Sequence, residues 1–479
     1  MASASGDLGL RPSTVNLKSR STGELTARDF QEYASPAFPP NGAVADAPHS
    51  VAGLSTITDT PSSAQGRIIR PPPFSRKLRK SLFIRPAETR GAAPGYLQSV
   101  KSALGYSWIN VLLIFNPISW ALYYSHQEDG AVFGTALLGI IPLAGMLGHG
   151  TETVALYTGD ALGGLINASL GNATEFIIAI LLLVKCEIRV VQASLLGGLL
   201  SNLLLVTGMA FIVGGIRFSE QEFRQTAAQL NTSLLTLAVI ALVMPTAFAI
   251  ALEQVAGPDQ ERDVVLQISR GSAVILIAIY ISYMVFQLYS HTMRPPPSDL
   301  EAQEEEHDKE TPEMNLTVAI CALVAATGLT YVTAEALTDS LEGIGRSGSV
   351  STEWLGLILL AIVGNAAEHV TAVFVAYRNK VDLALAVSVG SCIQITLFVI
   401  PILVLIGWII NKPLSLLFDP LEVVTLFLSV LLVRFATEDG RTHYMSGVLL
   451  FGTYILIAFS FWYYPQNGTS FARLFECDA

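Results

Sequence analysis

Charged side chains are scarce in this sequence. Asp, Glu, Lys and Arg make up 14% of its 479 residues, whereas hydrophobic residues make up 51%, and the mean hydropathy is +0.51. This composition excludes an ordinary water-soluble domain and predicts an all-α protein embedded in a lipid bilayer. No nucleic-acid partner is expected, and the sequence contains no signal for a particular oligomeric state.

Several motifs that would indicate other chemistry are also absent. There is no Gly-x-x-x-x-Gly-Lys-Ser/Thr run and no large soluble catalytic region, which argues against an ATP-driven pump. His-Glu-x-x-His is missing, which argues against an intramembrane metallohydrolase. We therefore expect neither an enzyme nor a bound cofactor. The few cysteines show no metal-ligand spacing and no disulfide framework, so we expect ordinary thiols at Cys186, Cys321, Cys392 and Cys477.

The amino-terminal region lacks large apolar side chains. Residues 1–95 are rich in Ser, Pro, Gly, Ala and Thr, a composition that cannot bury enough surface to offset chain entropy and that predicts a disordered tail. Residues 1–41 contain no apolar core of signal-peptide length, so the first spanning helix is expected to be the anchor. Lys and Arg are frequent from Arg67 to Lys101, which predicts a cytoplasmic amino terminus.

Apolar runs of about twenty residues, long enough to cross the bilayer, recur along the rest of the chain. We predict about eleven transmembrane helices, with one leading helix before two inverted five-helix repeats. An odd number of helices in each repeat makes the second copy enter the membrane from the opposite side. The predicted segments are a leading helix at 105–126, a first repeat at 131–291, an acidic cytoplasmic linker at 292–313, a second repeat at 314–465 and a short luminal tail at 466–479.

Two nearly identical segments lie within these apolar stretches. They read Gly171-Asn172-Ala173-Thr174-Glu175 and Gly364-Asn365-Ala366-Ala367-Glu368. An ionisable side chain at the centre of a spanning helix costs roughly 2.5 to 3.5 kcal/mol, so its presence calls for a partner or a function. Each segment falls on the second helix of its repeat, and this matching position argues against two structural hydrogen-bonding carboxylates.

Matching polar side chains follow on the next helix of each repeat. Ser201 and Gln394 lie the same number of residues after their respective glutamates, and Ser391 lies beside Gly390. Carboxylate, amide and hydroxyl oxygens are ligands that suit Ca²⁺, Mg²⁺ or Mn²⁺. Glycine lets a spanning helix unwind and frees carbonyl oxygens for a cation, which is the role predicted for Gly171 and Gly364.

Two facing carboxylates in a low-dielectric cavity need either a divalent cation or protons, because burial and like charge both favour the protonated form. We therefore expect Glu175 and Glu368 to bind cytosolic Ca²⁺ and luminal H⁺ in turn. A passive cation channel lined by oxygens is the alternative. Glu152 and Glu335, each on the helix before a motif, are either a vestibule that guides ions or carboxylates at the headgroup level.

The two Gly-Asn-x-x-Glu segments, each followed by a Gly-containing polar helix, resemble the signature repeats of the Ca²⁺/H⁺ exchanger family of the cation/Ca²⁺ antiporters. The likeness covers roughly residues 105–465 and is greatest to fungal vacuolar members. Sodium-coupled branches typically carry Ser and Pro before the acidic residue, whereas Asn-Ala-Thr and Asn-Ala-Ala stand here. This difference favours protons over sodium, which remains an alternative.

The resemblance implies a secondary antiporter of the vacuolar membrane, or of another acidic endomembrane compartment, with Ca²⁺ or Mn²⁺ as cargo. It implies that Asn172, Glu175, Asn365 and Glu368 line the cation site with Ser201, Gln394 and Ser391 nearby. His369 follows the second glutamate where Phe176 follows the first. Its imidazole is expected to be either a proton relay or a histidine hydrogen-bonded within the bundle.

Overall fold

A computed structural model describes residues 94–158, 170–252, 258–292, 312–347 and 350–464, together with Gly163 and Ile166. The predicted amino-terminal tail, acidic linker and carboxyl-terminal tail lie almost wholly outside these described residues. Nearly all of the described chain is helical, and its two short strands, β1 (Gln221–Glu222) and β2 (Arg441–Thr442), pair antiparallel.

The helices follow the apolar runs of the sequence. A 3₁₀ helix at Trp108–Ile114 separates the first two α-helices. The α-helices are α1 (Tyr96–Gly105), α2 (Phe115–Tyr124), α3 (Asp129–Thr158), α4 (Ala173–Val184), α5 (Ile188–Arg217), α6 (Gln225–Leu252), α7 (Pro258–Thr292), α8 (Leu316–Ser347), α9 (Thr352–Gly364), α10 (Ala366–Tyr377), α11 (Val381–Ile409), α12 (Pro420–Ala436) and α13 (Tyr444–Trp462).

Within the described residues, seven helices are long and apolar enough to cross a bilayer, and α9 with α10 forms an eighth candidate span that is bent by 52°. Helix α4 has 12 residues and α12 has 17, so α4 is shorter than the stretch that a full crossing needs and α12 is at its lower limit. The protein is therefore an all-α, multi-pass membrane protein. The number of eleven crossings stays a prediction.

The predicted leading segment, 105–126, contains the 3₁₀ helix followed directly by α2, and the separate helix α1 precedes it. Helix α1 ends at Gly105, and the Ser107 hydroxyl accepts a hydrogen bond from the Ile109 amide at the start of the 3₁₀ helix. Farther along, the Asn116 amide donates to the Gly139 carbonyl at 3.1 Å and accepts from the Thr333 hydroxyl at 2.7 Å. These polar contacts join the leading segment to both α3 and α8.

Element boundaries recur between the two halves. Helix α4 matches α10 in length, and the starts of α4 and α5 are separated from those of α10 and α11 by the same number of residues. Both α5 and α11 contain a wider π-helical turn, at Ser201–Val206 and Ile395–Val399 respectively. The repetition that the motifs indicate therefore extends to secondary structure.

Helices α5 and α11 are the most deeply buried of the long helices. In their most apolar stretches, 72% and 61% of residues are buried, compared with 22% in α8 and in α13. A Cβ added to Gly197 of α5 would lie 2.0 Å from the Leu357 carbonyl oxygen of α9. Only glycine permits this approach, which brings the polar residues of α5 against the broken helix of the other half.

One sequence expectation about cysteine is wrong. Cys321 and Cys392 are free thiols, as expected, but Cys186 is disulfide-bonded. Cysteine spacing does not determine which thiols pair, so this bond was not predictable from the sequence. Cys477 lies outside the described residues.

Candidate cation site

Both signature segments lie at breaks between helices. Asn172 precedes α4 and Asn365 separates α9 from α10, and neither has regular helical backbone angles, with φ/ψ of −100°/32° and −88°/16°. The structure thus places a break immediately after Gly171 and after Gly364. Glu175 and Glu368 consequently occupy the first turn of their helices, where the aligned peptide dipoles favour negative charge.

Asn172 is held by the helix of the opposite half. Its side-chain amide donates to Gln394 Oε1 at 2.7 Å, and its Oδ1 accepts from the Ser391 hydroxyl at 2.6 Å. Both partners lie on α11, and Asn172 itself is 2% exposed. A buried asparagine with both ends bonded has a single orientation, so α11 fixes the start of α4.

Asn365 is held in the same manner by α5. Asn202 Nδ2 donates to Asn365 Oδ1 at 2.9 Å and to Ser391 Oγ at 3.1 Å. Asn365 Nδ2 donates to the carbonyl oxygens of Ala361 at 2.9 Å and Gly198 at 3.4 Å. The two networks meet at Ser391, and one connected set of polar groups therefore spans both halves.

Three oxygens at this junction have no hydrogen-bond partner among the described residues. They are Glu175 Oε1, Glu368 Oε2 and Asn202 Oδ1, and all three atoms are buried. The two carboxyl groups are close enough to interact electrostatically. Burying a polar atom without a partner costs about 1 to 3 kcal/mol, and more for a charged group, so these oxygens are suited to a cation or to protons.

The Glu175 carboxylate lines a small cleft together with Ser194, Gly198 and Gly364. A Cβ on Gly364 would lie 3.3 Å from Glu175 Oε1. The glycine at the second helix break therefore does more than allow the bend. It leaves room for the first-half carboxylate beside the second-half backbone.

Ser201 and its neighbour Asn202 occupy different environments. The Ser201 hydroxyl lies 3.1 Å from His369 Nε2, whereas Asn202 bonds directly to the amide network. Counting residues after each glutamate predicts Ser201 as the first-half counterpart of Gln394 and does not predict Asn202 as a site residue. The missed signal is the amide itself, because Asn202 is the residue of this turn that most resembles Gln394 chemically.

The two predicted vestibule residues lie on helices that pack against each other. Among the described elements, α3 and α8 share the largest helix-to-helix contact. Glu152 of α3 is exposed and Glu335 of α8 is half-buried. The Glu335 backbone carbonyl accepts from Lys185 Nζ at 3.4 Å. Among the described residues, no hydrogen bond links Glu335 to the amide network.

The donor set at the junction contains two carboxylates and otherwise neutral oxygens. Among the described residues, no cluster of three or more His, Cys, Asp and Glu side chains could hold a metal ion. Hard oxygen ligands of this type suit alkaline-earth cations, and a low count of fixed charges suits a cation that binds and leaves. Broken helices around a polar site between two repeated halves are typical of secondary transporters.

Comparison with known proteins gives the family. The model described as "Sodium/calcium exchanger protein" matches residues 130–289 and 318–463, and the chain belongs to this family. A vacuolar calcium ion transporter of Cryptococcus neoformans var. grubii is 42% identical, in an alignment covering 85% of this chain and 81% of that protein.

Two further proteins are similar to this chain, one by sequence and one as a solved structure. A Ca²⁺/H⁺ antiporter of Aphanothece halophytica is 39% identical over 74% of this chain and 96% of its own length. The structure of native YfkE is similar with a TM-score of 0.63 and 31% identity, covering 74% of this chain and 99% of that one. Both matches extend over almost the whole of the other protein, so the likeness is to complete transporters.

Proposed function

We propose that this protein is a secondary active antiporter that exchanges cytosolic Ca²⁺ for luminal H⁺ by alternating access at the vacuolar membrane. The names of the relatives support this, since one is a vacuolar calcium ion transporter and another a Ca²⁺/H⁺ antiporter. Mn²⁺ has the same ligand preferences and is a second cargo by this chemistry. The proposal needs no enzymatic step and no cofactor, because Ca²⁺ and H⁺ are substrates.

The observation that carries the proposal is the set of unpartnered buried oxygens on Glu175, Glu368 and Asn202. Two ionised carboxylates at this depth repel each other, and either one divalent cation or two protons relieves that repulsion. The two states exclude each other, so Ca²⁺ binding displaces protons and proton binding displaces Ca²⁺. Competition at one site is sufficient for coupled exchange.

The surrounding amides position these carboxylates. Asn172, Asn365, Ser391 and Gln394 are held by hydrogen bonds between the halves, and in this proposal their oxygens serve as neutral ligands beside the glutamates. Each half fixes the broken helix of the other. Movement of one half against the other therefore changes the positions of both glutamates together. Inverted repeats in transporters use this arrangement for alternating access.

The domain organisation belongs to the same proposal. The leading helix (105–126) precedes repeats at 131–291 and 314–465, which are joined by a cytoplasmic acidic linker at 292–313. The tails at 1–95 and 466–479 lie on opposite sides of the membrane. Glu152 and Glu335 form the vestibule of this scheme, while His369 exchanges a proton with the site through its contact with Ser201.

A passive channel for divalent cations and a sodium-coupled exchanger are the competing functions. Ca²⁺ uptake into sealed vesicles with a preset pH gradient separates all three. We expect Ca²⁺ to accumulate only when the lumen is acidic, with proton efflux in strict linkage and no requirement for Na⁺. Accumulation that follows the Ca²⁺ gradient alone would establish a channel, and accumulation that needs a Na⁺ gradient would establish sodium coupling.

The same vesicles with Glu368→Gln connect function to site. The variant keeps the size and hydrogen-bonding capacity of the side chain but removes its titrating charge. We expect no proton-driven uptake although the protein inserts normally. Wild-type uptake by a well-folded Glu368→Gln protein would contradict the assignment of the site.

A further inference from the structure

A second group of ionisable side chains lies outside the cation site. Arg189 at the start of α5, Glu353 at the start of α9 and Asp419 and Glu422 at the start of α12 are gathered at one end of the bundle, with Tyr464 just after α13. Arg189 Nε donates to Glu353 Oε1 at 3.2 Å, and Arg189 Nη2 lies 3.8 Å from Asp419 Oδ2. We call these five residues the α12 cluster.

Two of the three carboxyl groups in the α12 cluster have side-chain partners. Glu353 accepts from Arg189, and Asp419 accepts from the Leu421 amide at 2.8 Å and from the Tyr464 hydroxyl at 2.9 and 3.1 Å. Burial, reinforced by the charge of Asp419, raises the pKa of Tyr464 to about 12. Its hydroxyl therefore stays protonated and remains a donor at physiological pH.

Glu422 differs from these two. It is 3% exposed, and its Oε2 is a buried atom with no hydrogen-bond partner in the described part of the chain. It occupies the third position of α12, close to the Asp419 backbone amide, as in a capping box where one carboxylate oxygen satisfies the helix start. That structural role accounts for one oxygen of the carboxyl group and leaves the other unexplained.

The charges around Glu422 do not balance when every group is ionised. The described groups that act on it are Arg189, Glu353, Asp419 and Tyr464. Helices α6 and α13, which also pack against α12, carry no charged side chain. Among the described residues, one guanidinium therefore faces three carboxyl groups, and a buried surplus of negative charge is unfavourable unless a proton neutralises it.

We propose that Glu422 is a proton-binding site separate from the Glu175 and Glu368 pair, holding a proton on its otherwise unpartnered oxygen within the α12 cluster. Loss of this proton adds a negative charge beside Arg189 and so redistributes the ion pairs that join α5, α9 and α12. The proton concentration at this end of the bundle thereby changes the contacts between the halves, and no proton has to enter the cation site.

Infrared difference spectroscopy of the purified full-length protein between acidic and alkaline pH tests this directly, because it detects protonated carboxyl groups. The Glu175→Gln/Glu368→Gln protein should retain a protonated-carboxyl band that titrates with pH. Adding Glu422→Gln should remove that band. Gln is accepted at this capping-box position, so a purely structural role predicts no spectral difference.

Glu353→Gln, made in the same Glu175→Gln/Glu368→Gln background, is the matched second variant and leaves Glu422 intact. With one fewer neighbouring anion, the Glu422 proton should be released at lower pH than before, and the band itself should persist. The proposal is overturned if the band survives Glu422→Gln, or if Glu353→Gln leaves its titration unchanged. Neither outcome bears on Ca²⁺ exchange, which the vesicle assay tests separately.

Discussion

The two halves of the protein contribute unequal side chains to the same junction. The second half supplies Ser391, whose hydroxyl bonds to Asn172, whereas the corresponding position of the first half is Gly198, whose backbone carbonyl accepts from Asn365. A backbone carbonyl thus takes the place of a side-chain hydroxyl. The comparison shows that the repeated geometry is kept although the chemical groups that maintain it differ.

The second difference between the halves follows the glutamates. His369 comes after Glu368 and contacts Ser201 of the opposite half, whereas Phe176 comes after Glu175. Only the second half therefore places a titratable ring beside its carboxylate. We infer that cation coordination is shared equally, while proton handling is concentrated in the second half.

The largest expected effect is the loss of either glutamate. Glu175→Gln and Glu368→Gln should each reduce proton-driven Ca²⁺ uptake to background, because each removes one of the two charges that a divalent cation needs. Glu222→Gln, at the exposed position of β1, is the control and should transport normally. If one glutamate variant keeps substantial uptake while the other loses it, the halves are not equivalent in coordination.

The two asparagines should come next. Asn172→Ala and Asn365→Ala should raise the Ca²⁺ concentration for half-maximal uptake by roughly 10 to 100-fold, which is typical when groups that orient metal ligands are removed. Asn365→Ala should have the larger effect, since Asn365 bonds to Asn202 and to two backbone carbonyls. Equal or reversed effects would show that the two networks do not differ in this way.

A smaller effect is expected at the position where a hydroxyl and a carbonyl correspond. Ser391→Gly removes the hydrogen bonds to Asn172 and Asn202. It should raise the Ca²⁺ concentration for half-maximal uptake by about tenfold. Gly198→Ser should be milder, because its Cβ would lie 3.4 Å from Asn365 Nδ2, an ordinary contact distance. A stronger defect in Gly198→Ser would mean that the first half cannot accept the second-half chemistry.

The smallest effect is expected for His369→Phe, which copies Phe176 into the second half. With a fixed acidic lumen, uptake should depend on Ca²⁺ as in the wild type, since no side-chain hydrogen bond among the described residues links His369 to the amide network. The dependence on luminal pH should weaken. An unchanged pH profile measured in vesicles would favour the alternative in which this histidine has a structural role only.

Much of the site could be predicted because its residues recur in sequence. The costly carboxylates, the asparagines three positions before them and the glycines at the breaks are all visible as a repeated motif, and the repetition itself suggests a shared site. The network of hydrogen bonds was not predictable, because it depends on how α5 and α11 cross the broken helices of the opposite half.

There is a physical reason why Asn202, and not Ser201, bonds to Asn365. Position counting assumes that corresponding helices turn at the same rate, but the π-helical turn of α5 begins at Ser201, whereas that of α11 begins at Ile395, one residue after Gln394. A π-helical turn is wider than an α-helical one and rotates the following side chains. The earlier start in α5 accounts for the amide at Asn202 facing Asn365.

The central claim is that Glu175 and Glu368 form one site at which Ca²⁺ and protons compete. Proton release on adding Ca²⁺ to the purified, weakly buffered protein measures this directly. We expect wild-type protein to release protons as it binds Ca²⁺, and its apparent Ca²⁺ affinity to rise with pH. Either single Glu→Gln variant should lose both signals. Ca²⁺ binding without proton release, or full binding and release in one single variant, would contradict it.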